Sequence, residues 1–343
     1  MSASCTWAYW RDDVLAKVGV LSGLNMQRVC DRKKRVVFAY EFASLFLGLL
    51  PTSYANALAY AGGLVAFIFS PNKRRLVADN LRRASNGDRG SFKGNILALR
   101  GYFSYARYWV EALALGGQSR RELNARMGFY GFEHVYEALG HGKGLIFTTP
   151  HLGNWDFGAA WLSSGGHPIT AVMEELEPRE LFDWFAAHRV TFGVHAIPAS
   201  AAAFGELAKT VGRNQVVALV ADRDIANSGV KLPFFGEVTS LPQGVALLSL
   251  RTGAPIIPAA VYMLPGGCHY VVAMKPITFA RSGSLREDVS RLTGLLTERY
   301  ESLIRADPAQ WHLFQPNWPS QSRTGDSPST KQSRSRVMRH GTD

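Results

Sequence analysis

Two short segments of this 343-residue chain concentrate the side chains that could move a proton. The first runs Gly142-Lys-Gly-Leu-Ile-Phe-Thr-Thr-Pro-His-Leu-Gly-Asn-Trp-Asp156, an apolar β-run that ends at Pro150 and opens a helix near Asn154. On one continuous helix, residues five apart point about 140° from each other at ~100° per residue, so His151 and Asp156 would not meet. With His151 in the turn before the helix, Asp156 in the first turn reaches back to the imidazole. One ring nitrogen is then held protonated, and the other is free to accept a proton from a hydroxyl. Gly153 lets the backbone fold tightly and Asn154 caps the helix. The spacing by itself fits a turn-capping core histidine equally well.

The second segment is Asp222-Arg223-Asp224, which follows the apolar run 216–221. Charges at the end of such a run mark a functional edge, with an internal Asp222–Arg223 ion pair as the structural alternative. It leads into Ser228-Gly229, Pro233-Phe-Phe-Gly236 and Leu241-Pro-Gln-Gly244. These read as a loop with exposed aromatics that lines an apolar slot for a chain.

The elements that must hold these segments follow from periodicity. Short apolar runs at 144–148, 169–173, 194–197, 215–221, 255–262 and 269–274 predict strands. Helices fit 154–164, 179–192, 202–212, 243–253 and 285–306. The alternation predicts an α/β fold with a mixed central sheet covered by helices on both faces, and strand ends in such sheets are where ligands sit. Upstream, 72–84 and 95–114 read as amphipathic helices, the second carrying a core stripe of Tyr102, Tyr105, Tyr108 and Trp109 beside Glu111.

Before these lies an apolar stretch, 36–70, read as a hairpin of helices 37–50 and 53–70. Its run 54–69 falls short of the ~20 residues of a spanning helix. Arg32, Lys33, Lys34 and Arg35 precede it, and Lys73, Arg74, Arg75, Arg82 and Arg83 follow. Charge bracketing an apolar segment favours an anionic membrane surface. The net charge of +11 suits that partner. No nucleic-acid-reading module interleaves aromatics with the basic clusters, so nucleic acid is excluded as a partner. Cys5, Cys30 and Cys268 lack disulfide-framework or zinc-knuckle spacing, so no metal is expected and the compartment reads as reducing. No signal peptide is expected. The organisation expected is an N-terminal extension over 1–35, one domain over 36–318 with membrane-associating helices at 36–70, and a disordered basic tail over 319–343.

Asn80-Leu-Arg-Arg83, Tyr105-Ala-Arg-Tyr-Trp109 with Glu111, His151-Leu-Gly-Asn-Trp-Asp156, Asp222-Arg-Asp224, Phe234-Phe-Gly236 and Thr252-Gly253 together resemble the bacterial lipid A late acyltransferase superfamily. Within it, the chain looks closest to the actinobacterial phosphatidylinositol mannoside acyltransferases. The resemblance implies a glycerolipid-acyltransferase-like fold, His151 as general base, and Asp156 and Asp222 as the supporting acids. Asp222 stands where the family often has glutamate, one methylene longer. The resemblance also implies donor and acceptor contacts at Glu174, Arg189, Ser228 and Arg251. It implies acyl-CoA as co-substrate with no further cofactor, a glycolipid acceptor, and a peripheral or monotopic enzyme on the cytoplasmic face of the inner membrane. Such chemistry is coherent, because a thioester needs only a deprotonated alcohol and a stabilised oxyanion. A G-x-S-x-G nucleophile elbow is absent, and Gly140, Gly142 and Gly144 precede a strand, the wrong order for a dinucleotide site. Two alternatives stand beside this reading: an acyltransferase acting on glucosamine-based lipid, and a catalytically silent membrane-binding homologue.

Overall fold

A computed structural model describes residues 32–85, 91–225 and 228–321. Of the extension expected over 1–35, residues 1–31 lie outside the described residues and 32–35 already belong to a helix; of the tail expected over 319–343, residues 322–343 lie outside them. Residues 319–321, expected to belong to that tail, are packed instead. The amide of Gln321 donates to Asp79 and Asn80, and Trp318 just before it is fully buried.

Seven strands form the central sheet: β1 (Met127–Tyr130), β2 (Leu145–Thr149), β3 (Ile169–Met173), β4 (Val194–Pro198), β5 (Val216–Val220), β8 (Ile256–Met263) and β9 (His269–Ala273). Their order is β1-β9-β8-β2-β5-β3-β4. Strands β8, β2, β5, β3 and β4 run parallel, and β9 turns back antiparallel to β8 with β1 parallel to it. The sheet is mixed, as the sequence predicts. Alternate residues of each strand face opposite layers. Ile146, Val217 and Ile256 enter one core with helices α3 (Pro71–Ala84), α9 (Ala203–Gly212), α10 (Gly244–Thr252) and α11 (Leu285–Ala306). On the other face, Val194, Val261 and Val271 pack with α5 (Arg120–Arg126) and α7 (Trp155–Ser164).

The apolar stretch is α1 (Arg32–Leu49) and α2 (Thr52–Phe69), broken by Pro51 between them; the hairpin expected there does not close, since Leu47 of α1 packs on Leu113 and Phe185 rather than on α2. Small residues Ala55, Ala59 and Gly63 recur every fourth position on α2 and are its buried side. A Cβ on Gly63 would stand 3.0 Å from the carbonyl of Tyr102, so the stripe lets α2 approach α4 (Ser91–Leu113) closely. The opposite side stays apolar and exposed, with Tyr54, Leu58, Val65, Ile68 and Phe69 open to the surroundings.

Five elements and one side chain differ from the sequence reading. The segment 120–140 holds α5, β1 and α6 (Glu133–Gly140), none of which was expected. The segment 230–241, read as a loop, is a β-hairpin of β6 (Val230–Phe234) and β7 (Glu237–Leu241). Its two turn residues, Phe235 and Gly236, both have positive φ, the conformation that matches the twist of paired strands. Phe234, expected to be exposed, is completely buried against Trp311 and Trp318.

Candidate active site

His151 and Asp222 arrive from adjacent strands at the same height. Thr149 of β2 pairs with Val220 of β5, and each chain runs on two residues further to the imidazole and the carboxylate. The amide of Ala221 donates to Thr149 O at 3.0 Å and carries the register into the loop. Nδ1 of His151 lies 2.6 Å from Asp222 Oδ1. The other oxygen of Asp222 accepts the indole N–H of Trp311 at 2.7 Å. Burial alone would raise the pKa of Asp222. The charge and hydrogen bond of His151 and the bond from Trp311 outweigh it and hold the carboxyl below its ordinary range. An ionised acceptor requires the proton on His151 Nδ1, so Nε2 presents its lone pair. Nε2 has no hydrogen-bond partner among the described residues. The imidazole is one-quarter exposed, whereas Asp222 is sealed.

The turn that presents His151 is pinned on both sides. His151 O accepts the amide of His312 at 2.7 Å, Gly153 donates to Gln310 O at 2.9 Å, and Asn154 donates to Val261 O at 2.8 Å. Gly153 has φ +64°, and any Cβ there would collide with Val261 O, so no other residue fits without moving the turn. Asn154 Oδ1 caps α7 at Phe157 N, while its amide reaches Glu111 at 2.8 Å. Burial opposes the charge on Glu111, but His269 and Arg107 bonded to it pull its pKa down to about 2.

Asp156 does not reach back to His151. Its two oxygens accept Arg189 Nε and Nη2 at 2.9 and 3.0 Å, and Tyr108 adds a bond at 2.8 Å. The reason is the helix: Asp156 faces inward from the first turn of α7, toward α8 (Arg179–Val190) and α4, while the imidazole turns toward β5. Burial would raise the Asp156 carboxyl, yet the Arg189 guanidinium holds it below its usual value and is itself raised. Arg189 is therefore a buried partner of Asp156. The Asp222–Arg223 ion pair is not formed either. Arg223 bridges to Glu174 at 2.8 Å and to Gln315, and Asp224 ties Gly229 N to Ser240. Glu174, half-exposed, stands just beyond β3 on the same edge as His151. Ser228 is exposed, and its carbonyl accepts Gln243. Arg251 falls elsewhere: it ends α10 just before β8, whose Ile256 pairs with Ile146 at the start of β2, so it occupies the opposite edge of the sheet.

An apolar cavity of about 130 Å³ lies between the sheet and α7. Thr149, Trp155, Asp156 and Arg189 border its end at the strand termini, and Ala171, Ala196, Ala218, Ala259 and Ala273 pave its floor. None of the residues 228–244, expected to line an apolar slot, touches it.

The model of the bacterial lipid A biosynthesis acyltransferase family matches residues 28–320. The chain belongs to that family. A phosphatidylinositol mannoside acyltransferase of Mycolicibacterium smegmatis is 34% identical over 218 residues, a stretch covering 63% of this chain and 70% of that relative. One of Mycobacterium tuberculosis is 35% identical over 220 residues, covering 63% and 68%. A lipid A biosynthesis acyltransferase of Haemophilus influenzae is 25% identical over 198 residues, covering 57% and 59%. The protein is an acyltransferase of this family. Trp311, which fixes Asp222, and His312 and Gln310, which fix the His151 turn, gave no spacing signal in the sequence. The only hint was an aromatic-rich run, Trp311-His-Leu-Phe314, just ahead of a polar tail.

Proposed function

We propose that the protein moves a long-chain fatty acyl group from acyl-CoA to a mannose hydroxyl of phosphatidylinositol mannoside, with His151 as general base. One observation carries the reading: an imidazole backed at 2.6 Å by a buried, ionised Asp222, with its free Nε2 at the edge where the alanine-floored cavity ends. The acceptor hydroxyl gives its proton to Nε2 as its oxygen attacks the thioester carbonyl. Asp222 stabilises the imidazolium that results. The tetrahedral oxyanion collapses, the carbon–sulfur bond breaks, and the CoA thiolate leaves and takes up the proton. No covalent enzyme intermediate and no cofactor is needed. Glu174 and Ser228, exposed on the His151 side, are proposed to contact the acceptor. Arg189, ion-paired with Asp156 where the cavity ends, is proposed to hold that end in shape rather than to take part in the chemistry, and Arg251 is not retained as a contact.

The acceptor assignment leans on the mannoside acyltransferase relatives, which match with higher identity over a longer stretch than the lipid A enzyme does. The exposed apolar side of α2, flanked by Lys73 and Arg75, supports a peripheral protein on an anionic leaflet, proposed here as the cytoplasmic face of the inner membrane. Radiolabelled palmitoyl-CoA offered with mannosylated phosphatidylinositol and with a lipid A precursor, side by side, tests the reading. Label is expected in the mannolipid. Label only in the lipid A precursor overturns the acceptor, and label in neither with folded protein leaves a silent membrane binder.

A further inference from the structure

Glu111 ends α4, outside the sheet that presents His151 and Asp222, yet it is almost fully buried and held ionised. Four cationic or N–H groups meet its two oxygens. Oε1 accepts Arg107 Nε at 2.7 Å and faces Arg126 Nη2 at 3.9 Å, while Oε2 accepts His269 Nε2 and Asn154 Nδ2, each at 2.8 Å. Arg107 also donates to Leu264 O and Arg126 to Gly267 O, both at 2.7 Å, which ties the carboxylate to the turn between β8 and β9. A buried ionic cluster of this kind stabilises a fold little more than apolar packing of the same volume would. What the carboxylate has, and an apolar side chain lacks, is that it can only accept.

That property decides how the amide of Asn154 lies. One end of the amide must accept the Phe157 N–H that it caps, at 3.0 Å, and the other end meets Glu111. Against a group that cannot donate, a single orientation satisfies both ends, with the oxygen toward α7 and the NH2 toward Glu111. Asn154 closes the turn that begins at His151, so the direction in which α7 leaves that turn is set with it. The cluster around Glu111 grips the helix at a second point. His269 stacks on the Phe157 ring with centroids 3.8 Å apart and 12° between the planes, and the Arg126 guanidinium lies over the same ring at 4.8 Å. Three positions before Glu111, on the same side of α4, Tyr108 adds its bond to Asp156 at 2.8 Å.

We propose that Glu111 is a positioning residue of the transfer reaction: by fixing the amide of Asn154 it fixes where the turn presents His151 Nε2. The inference rests on the reading of His151 as general base, and it gives a role to the Tyr105–Glu111 motif, which the chemistry itself does not use. A base misplaced by ~1 Å costs up to ~100-fold in rate, whereas the binding of donor and acceptor does not depend on the proton transfer.

The test exchanges the two partners in Glu111→Gln, Asn154→Asp and the double variant. It measures kcat, and KM for palmitoyl-CoA and mannosylated phosphatidylinositol, on protein shown to be folded by circular dichroism. Glu111→Gln sets N–H against N–H, toward Asn154 or toward Arg107 whichever way the new amide lies. Asn154→Asp keeps the cap on Phe157 but sets carboxylate against carboxylate. Each single variant lowers kcat by ~10-fold to ~100-fold and moves either KM by no more than ~3-fold. In the double variant the amide and the carboxylate have changed places and bond again, so kcat returns to within ~3-fold of wild type. A role in stability alone gives no such rescue. Folded single variants with wild-type kcat, or a double variant no better than either single, overturn the positioning role and leave His151 as base. If Glu111→Gln does not fold, Asn154→Asp against the double variant decides in the same way. Wild type that transfers label to no acceptor overturns the acyl-transfer reading itself, and the positioning role with it.

Discussion

Asp222 and Asp156 are both buried carboxylates held ionised by a cation-capable neighbour, yet they predict opposite phenotypes. Asp222 faces the reacting imidazole, so Asp222→Asn keeps volume and the Trp311 bond but removes the charge that stabilises the imidazolium. Its kcat falls by ~100-fold or more with KM little changed, in steady-state kinetics on folded protein. His151→Ala loses at least as much in kcat/KM while the protein still folds, with a melting temperature lowered by the loss of the partner of buried Asp222, because a one-quarter exposed turn residue adds little apolar burial to the core. Near-normal turnover in that variant would remove His151 from the chemistry. Asp156→Asn instead leaves the mostly buried Arg189 guanidinium without its counter-charge, at a cost of up to ~3 kcal/mol. Its signature is a lowered melting temperature while the folded fraction keeps most of its activity. The sequence could place the two acids near one strand edge but could not pair them. A histidine followed by an acid five positions on, and an acid seventy-one positions away, look alike until the register Thr149↔Val220 brings β2 and β5 together.

At the scale of elements, the parallel strands were legible because each is a continuous apolar run between helical stretches, and α7, α8, α9, α10 and α11 begin within a residue of where periodicity sets them. The misses have physical causes. Strand β1 has four residues and buries only the first, so it carries no alternation to read. Pro233 and Gly236 punctuate β6 and β7 as breakers, but β6 pairs only with β7 and its turn needs the positive φ that glycine supplies. The strap that follows α11 was illegible for a different reason, since its residues act far across the chain, Trp311 on Asp222, 89 positions earlier, and His312 N on His151 O, about 160 positions earlier. That strap predicts a pH dependence. Burial and the nearby His151 charge push His312 down to about 3, below the ~6.5 of an unfolded histidine. A depressed folded pKa means full stability above pH ~6.5 and a progressive loss toward pH 3, because the unfolded chain binds the proton first. By pH 5 this one group costs ~2 kcal/mol. In His312→Phe, which keeps a ring against Tyr105, Tyr108 and Trp155, the drop in melting temperature from pH 7 to pH 5 shrinks accordingly. An equal drop in variant and parent assigns the acid sensitivity to other groups.

The whole molecule has one side suited to a bilayer. Among the described residues, Thr52–Phe69 is the one helix long and apolar enough to cross a membrane, but its Ala55, Ala59 and Gly63 stripe is spent on the protein. A helix that buries its small side against α4 and leaves Leu58, Val65, Ile68 and Phe69 outward suits the interfacial placement proposed above better than a span. Arg35 at the start of α1 and Lys73 and Arg75 just after α2 are exposed and add attraction to anionic headgroups, about 1 kcal/mol for each basic residue near the surface. The +11 net charge acts in the same direction. Binding to sedimented liposomes therefore rises with the anionic fraction and falls as salt shortens the screening length toward ~8 Å and below. Phe69 is four-fifths exposed, so Phe69→Asp removes an inserted ring worth ~1.5–3 kcal/mol and weakens binding by roughly 10-fold to 100-fold without touching the fold. The Lys73→Glu, Arg75→Glu double variant gives a comparable loss on anionic vesicles and none on neutral ones, which separates the electrostatic part from the apolar part. Protein that stays with the vesicles at high salt and in alkali, and is released only by detergent, means that α2 leaves α4 and spans.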